Sequence, residues 1–304
     1  FADPVRVLCV HRDTPSQAAL AALHRSVRFD GARVDLRFLG LPDGPPPAPS
    51  LAALIARECA APLSSPVEAS VRDGRRMVRR MIEAPPPATA TPLRRDGHVL
   101  MTGGGGALAA LFARRYAQAT GGRVTLIGRS AASDAARSVL ADLGSRAGYE
   151  RTDVTDQDAI AAAVARAQAE RGPIHGVIHA AGVAGGALLR QAGMADIAAC
   201  LAPKVEGTIA LDRALAGAKL DFFVLFSSLA SELGDFGQGA YAVGNAFCDR
   251  FAAWRNARIQ GGQRHGHTVA LGWPLWREGK GVLSAEGERI NLATAGMPYL
   301  ETDQ

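Results

Sequence analysis

His98–Ala110 reads HVLMTGGGGALAA. A short apolar, strand-like run meets four consecutive glycines, and a helix-forming run follows at once. A backbone without Cβ atoms can turn tightly and lie close to a pyrophosphate. The free amides and dipole of the helix that opens there favour its negative charge. Read as GxxGxxG, the positions are Gly103, Gly106 and Ala109, with alanine in the place that serves helix–strand packing. Thr102, Gly103, Gly104, Gly105, Gly106, Ala107 and Leu108 are therefore expected to line a nucleotide phosphate. The same glycines standing alone would also suit a plain flexible turn, but a strand before and a helix after favour the phosphate loop.

Towards the C-terminus, strands and helices alternate. VTLIG ends at Gly128, a short strand is expected at Tyr149–Asp153, and GVIHAAG ends at Gly182. A helix around Val205–Ala216, the apolar strand Phe222–Ser227, a long helix from about Gln238 to Arg255 and a strand at His267–Leu271 complete the series. This alternation predicts an α/β fold with a Rossmann-type, doubly wound parallel sheet. Arg129 and Ser130 follow the second strand, where an acidic residue would bind the ribose hydroxyl of NAD and an arginine would pair with the 2′-phosphate of NADP. A surface arginine would look the same. Asp153 and Val154 follow the third strand; Asp153 suits an adenine contact or a helix cap, which Thr155 or Asp156 could equally supply. The small residues of His179-Ala180-Ala181-Gly182 would let a cofactor lie close to the sheet, with His179 itself more structural than catalytic.

Towards the N-terminus, residues 1 to about 95 read as a smaller α/β unit. Strands are expected at Val5–Val10 and Val34–Leu39, and helices at Gln17–Val27 and Leu51–Cys59. Val67–Val71 and Arg76–Ile82 flank Asp73-Gly74 as a hairpin. The proline-rich segment Leu41–Ser50 cannot continue regular structure, and Ala84–Pro92 reads as a linker. The expected division is 1–95 and 96–304.

The composition excludes several classes. Of 304 residues, 48% are hydrophobic and 21% charged, ordinary for a globular protein and not for a disordered chain, a coiled coil or a collagen-like fibre. The longest apolar candidate, Gly176–Leu189, is broken by His179 and four glycines and is too short to span a bilayer. Cys9, Cys59, Cys200 and Cys248 are scattered without a CxxC, which points to core thiols in a reducing cytoplasm and not to disulfides or zinc. The net charge is +5, and only Lys204, Lys219 and Lys280 among the 34 basic residues are lysines. A basic surface favours acidic partners, and no nucleic-acid motif accompanies it. The start at Phe1 and the absence of a signal-peptide pattern suit a domain excised from a longer protein.

Chemistry enters at Ser228, Tyr241 and Asn245. Ser228 closes an apolar strand. Tyr241 and Asn245, four residues apart, share one helix face. A phenol near pKa 10 needs tuning to move a proton at neutral pH, and a nearby ammonium would lower that value. Lys204 stands where the chain could bring it into the same site. Each residue alone suits an ordinary core position; together with the glycine loop they suit a site.

These segments resemble the ketoreductase domains of modular type I polyketide synthases, members of the short-chain dehydrogenase/reductase superfamily. The motifs are Thr102–Ala109, His179–Gly182, Phe226-Ser227-Ser228, Gly237–Tyr241 and Asn245, with Leu201–Val205 and Gly272–Trp276 also similar. Several segments look most like synthases that lack an integral acyltransferase. The resemblance covers the whole chain and implies a truncated, Rossmann-like structural subdomain before the catalytic one. Most short-chain reductases carry Tyr-x-x-x-Lys, whereas none of the four tyrosines here has a lysine four residues on. Tyr241 has Asn245 there, and Lys204 lies upstream, an exchange typical of synthase ketoreductases.

The resemblance further implies hydride transfer from NADPH to a β-ketoacyl thioester held by a phosphopantetheinylated acyl carrier protein, beside neighbouring synthase domains. Ser228 would bind the carbonyl oxygen, Tyr241 would donate the proton, Lys204 would lower the Tyr241 pKa, and Asn245 would support the site. A silent NADPH-binding domain and an α-methyl-epimerising ketoreductase are the alternatives. The Leu-Asp-Asp of one stereochemical class is replaced by Ala184-Gly185-Gly186, and the tryptophan common in the other by Leu233, which leans towards the class without the acidic motif.

Overall fold

The computed structural model describes residues 5–31, 33–44, 47–85, 93–183, 185, 187–277, 286, 288–289, 292 and 299–301. In the first part of the chain, strand β1 (Val5–Arg12) leads into helix α1 (Pro15–Ala18), a 3-10 turn at Ala19–Ala22 and helix α2 (Leu23–Val27). Strand β2 (Val34–Leu41), helix α3 (Ala48–Ala60) and strands β3 (Glu68–Arg72) and β4 (Arg75–Val78) follow. The sheet runs β1-β2-β3-β4, with the first three strands parallel and β4 antiparallel. Positive φ at both Asp73 and Gly74 makes the tight β3–β4 hairpin that Asp-Gly favours. β4 stops at Val78, not at the expected Ile82, and the next residue, Arg79, pairs with Glu232. Most of the expected Ala84–Pro92 linker lies outside the described residues.

The second sheet comprises β5 (His98–Thr102), β6 (Arg123–Gly128), β7 (Ala147–Arg151), β8 (Gly176–His179), β9 (Phe222–Ser228) and β10 (His267–Trp273). The connecting helices are α4 (Ala107–Thr120), α5 (Asp134–Leu143), α6 (Gln157–Arg171), α7 (Met194–Ala214), the short α8 (Ala230–Leu233) and α9 (Gly239–Gln260). All six strands are parallel, in the order β7-β6-β5-β8-β9-β10. Order reverses between β5 and β8, and in such sheets the ligand crevice opens at the carboxyl ends beside that switch.

Strand alternation explains the two-layered core. Val99 and Met101 pack with α4 and α5, while Leu100 faces the opposite layer with α6, α7 and α9. Every residue of β5 is buried, as befits a central parallel strand. Ser133 caps α5 and Asp156 caps α6 through their side chains. α7 begins at Met194, eleven residues before the expected Val205, and runs through Pro203. Pro203 has no amide to donate back along the helix, and its own carbonyl lies 3.0 Å from a ring nitrogen of His179. Ala19 and Ala22 belong to the same core layer as α9, so the helical segment after β1 is packed against that helix.

Candidate active site

The glycine turn is built by close approach. Gly103 has φ of +73°, and a Cβ there would fall 2.8 Å from the Ala180 carbonyl oxygen, so only glycine fits between the ends of β5 and β8. Gly105 differs, since a Cβ on it would meet nothing nearer than the Tyr149 hydroxyl at 3.9 Å. Its open side, and the unsatisfied first amides of α4 at Ala107 and Leu108, present a concave surface of N–H donors. No acidic residue lies in the first turn of α4 to compete for them.

Thr102 and His179 stand behind this surface and not on it. Both are fully buried. Nδ1 of His179 pairs with the Thr102 hydroxyl at 2.6 Å, and the same hydroxyl accepts the Ala181 amide at 3.2 Å. Burial and the nearby Lys204 ammonium push His179 down to about 3, so it stays neutral. Thr102 and His179 are both among the residues expected at the cofactor; their side-chain polar atoms are taken up within the fold, where they help tie β5 to β8. Val154 is likewise buried in the core layer.

Arg129 and Ser130 are exposed beyond β6. Among the described residues Arg129 has no ion pair, although its charge helps hold the Asp153 carboxyl below the usual range; the larger cause there is the Thr155 amide. Asp153 accepts the Thr155 amide and hydroxyl at 3.0 and 2.8 Å, whereas the cap of α6 is Asp156.

At the end of β9 the other predicted residues meet. Asn245 Nδ2 donates to the Tyr241 carbonyl at 2.8 Å, one turn back along α9. The Tyr241 phenol is pushed up by burial, and hydrogen bonds with Ser228 and Asn245 partly oppose that rise. Lys204 is buried, its charge penalised by desolvation, and its ammonium donates to the Phe226 carbonyl. The stem of Lys204 lies under Gly182, where a Cβ would come 3.0 Å from its Cε. Burial is the largest influence on the phenol and raises it. Asn245 Oδ1 is buried without a partner among the described residues, and such an atom calls for a water or ligand donor.

Comparison with known proteins gives this geometry a family. The family model for the KR domain matches residues 97–278. Polyketide synthase ThaG of Burkholderia thailandensis is 40% identical over 229 residues, and Polyketide synthase PksN of Bacillus subtilis is 38% identical over 216 residues. In both cases 70% of this chain is covered, and the chain spans 4% of the length of the relative. The crystal structure of a ketoreductase domain from the bacillaene assembly line superposes with a TM-score of 0.86 at 28% identity, covering 99% of this chain and 73% of that one. The chain belongs to the KR domain family of polyketide synthases. KR domains are oxidoreductases of the short-chain dehydrogenase/reductase superfamily and bind a nicotinamide cofactor.

Three features of this KR domain escape a reading of the sequence. Tyr149 donates to the Ser130 carbonyl at 2.8 Å and covers Gly128, where a Cβ would sit 2.2 Å from the phenol oxygen. It thus walls the crevice between Arg129 and Gly105. Ser231 is buried, and its hydroxyl lies 2.8 Å from the Ser228 carbonyl and 2.7 Å from Asp249, bracing the strand end that carries Ser228. Asp30, from the first sheet's side, reaches two loops beside Tyr241. A tyrosine in a strand gives a local hint; the other two depend on contacts no local pattern encodes. Ala184 and Gly186 of the expected stereochemical stretch lie outside the described residues.

Proposed function

We propose that this chain reduces the β-keto group of an acyl thioester carried on the phosphopantetheine arm of an acyl carrier protein, using NADPH. The observation that carries the reading is that Ser228, at the end of β9, lies beside Tyr241 in the first turn of α9, in the sheet whose β5 ends in the glycine turn.

The residues fit a dinucleotide. The open amides of Gly105, Ala107 and Leu108 suit a pyrophosphate. Arg129, without an ion pair among the described residues, suits a 2′-phosphate. The orphaned Asn245 Oδ1 offers an acceptor deeper in the crevice. Ala180, Ala181 and Gly182 form its low floor, and Ser130 and Asp153 its adenosine end. The cofactor's contribution is a hydride to the carbonyl carbon. Every other task falls to the chain. Ser228 donates a hydrogen bond to the carbonyl oxygen, where preorganised donors stabilise developing charge. Tyr241 gives that oxygen its proton, from a phenol that is protonated at neutral pH. Lys204 holds positive charge beneath Gly182 and anchors the β9 end. The division near residue 95 is then one of labour: the first sheet supports, and the second carries the chemistry.

A second reading, a KR domain that binds cofactor without turnover, draws on the commitment of Lys204 to the Phe226 carbonyl. Tyr241→Phe separates the two. The variant is expected to lose about a thousandfold in reduction, within the range of general acid catalysis, while its NADPH affinity in a fluorescence titration stays unchanged. Equal turnover in the variant and the parent chain would remove Tyr241 from the reaction.

A further inference from the structure

We propose that Asp30 is a positioning residue for the substrate side of the site, clamping two loops that wall Tyr241; this rests on the reduction reading above. Asp30 lies in the turn after α2, outside the sheet that carries the chemistry. Its Oδ2 accepts the Leu189 amide and its Oδ1 the Gly237 amide, each at 3.2 Å. Leu189 belongs to the segment after β8, and Gly237 to the turn that leads into α9 four residues before Tyr241. Each carboxylate oxygen thus holds one backbone donor, and the two donors come from parts of the chain 159 and 207 residues away from Asp30.

Both clamped loops border the phenol. A Cβ on Gly185 would come 3.0 Å from the Tyr241 Cβ and 2.6 Å from the Gln238 Oε1, so the segment after β8 lies against the start of α9. The Leu189 side chain reaches to 3.9 Å of a Cβ placed on Gly239. These loops also carry the exposed apolar side chains Val183 and Phe236, the surface an acyl chain would meet on its way to Ser228 and Tyr241.

Asp30 is distinct from the other contacts of its neighbourhood. Arg25 donates to the Ser231 carbonyl at 3.1 Å, Arg28 to the Leu233 carbonyl at 3.0 Å, and the Asp235 amide to Ser26 at 3.4 Å. All three grip α8 and the turn after it. Asp30 alone among these also holds the segment after β8. Its loss therefore leaves the turn anchored and releases the opposite wall. Neither contact of Asp30 involves the glycine turn or Arg129, so the effect is expected on the thioester and not on the cofactor.

The test compares the chain with Asp30→Ala and Asp30→Asn, the second keeping the volume but only one acceptor oxygen. Amide hydrogen exchange at Leu189 and Gly237 is expected to speed up about tenfold or more in Asp30→Ala and less in Asp30→Asn, with β5 and β9 amides unchanged. With NADPH and a β-ketoacyl thioester, KM for the thioester is expected to rise about fivefold or more while kcat stays within about threefold and NADPH affinity within about twofold. Unaltered exchange at Leu189 and Gly237 overturns the clamp. Accelerated exchange with an unchanged KM, or a matching loss of NADPH affinity and overall stability, overturns its positioning role. The exchange measurement needs no turnover, so a chain that proves inactive counts against the reduction reading while the clamp is still decided.

Discussion

On the proposed reading Tyr241 is the proton donor. A phenol with an ordinary value near 10 holds its proton at neutral pH, and burial pushes this one further up. The reverse reaction needs the phenolate, whose fraction grows about tenfold per pH unit below the pKa. Oxidation of a β-hydroxyacyl thioester is therefore expected to accelerate steeply from about pH 6 to about pH 9, while the Tyr241 contribution to reduction stays flat. Stopped-flow rates in both directions check this; a reduction rate that falls in step with the oxidative rise would show a lowered phenol instead. Arg129 makes its own prediction. Charge-assisted bonds of guanidinium to phosphate contribute about 1.5–3 kcal/mol. Arg129→Gln should therefore weaken NADPH binding about tenfold or more and leave NADH within about twofold, as read by fluorescence titration.

The link between β5 and β8 depends on a neutral histidine. His179 is held at about 3, whereas in an unfolded chain it titrates near about 6.5. Between those values the unfolded state binds the extra proton, so stability falls as pH drops from about 6.5 towards 3, at up to about 1.4 kcal/mol per pH unit. His179→Gln removes this titration. Urea unfolding from about pH 7 to about pH 4 should show the parent chain losing stability faster than the variant; parallel curves would place the proton elsewhere. At this scale much is legible in the sequence. HVLMTGGGGALAA is contiguous, and its strand, turn and helix stand where the pattern puts them. Ser228, Tyr241 and Asn245 also lie on the strand end and helix expected of them. The first half of α7 is hidden because Pro203 looks like a boundary, and its contact with His179 comes from 24 residues away. The inward turn of Thr102 is hidden for the same reason, since its partner His179 lies 77 residues on.

Across the whole molecule, the two sheets are joined by charge as well as by packing. Glu68 of β3 pairs with Arg25 at 3.0 Å and with Arg250 of α9, while Glu232 of α8 lies 3.8 Å from Arg25 and takes Arg79. The network therefore ties α2, β3, α8 and α9 together, and it enters α9 at the residue after Asp249, whose carboxylate takes the Ser231 hydroxyl. The support of the first unit thus reaches the helix that carries Tyr241. Such pairings between residues far apart in sequence cannot be read from periodicity, which is why the first unit looks merely structural in the sequence. No helix among the described residues is long and apolar enough to cross a membrane. The most direct test of the account mixes the purified chain with NADPH and a β-ketoacyl thioester mimic, follows nicotinamide absorbance and resolves the product on a chiral column. The account predicts loss of the NADPH signal matched by one β-hydroxyacyl stereoisomer; bound NADPH with no hydroxy product would contradict it.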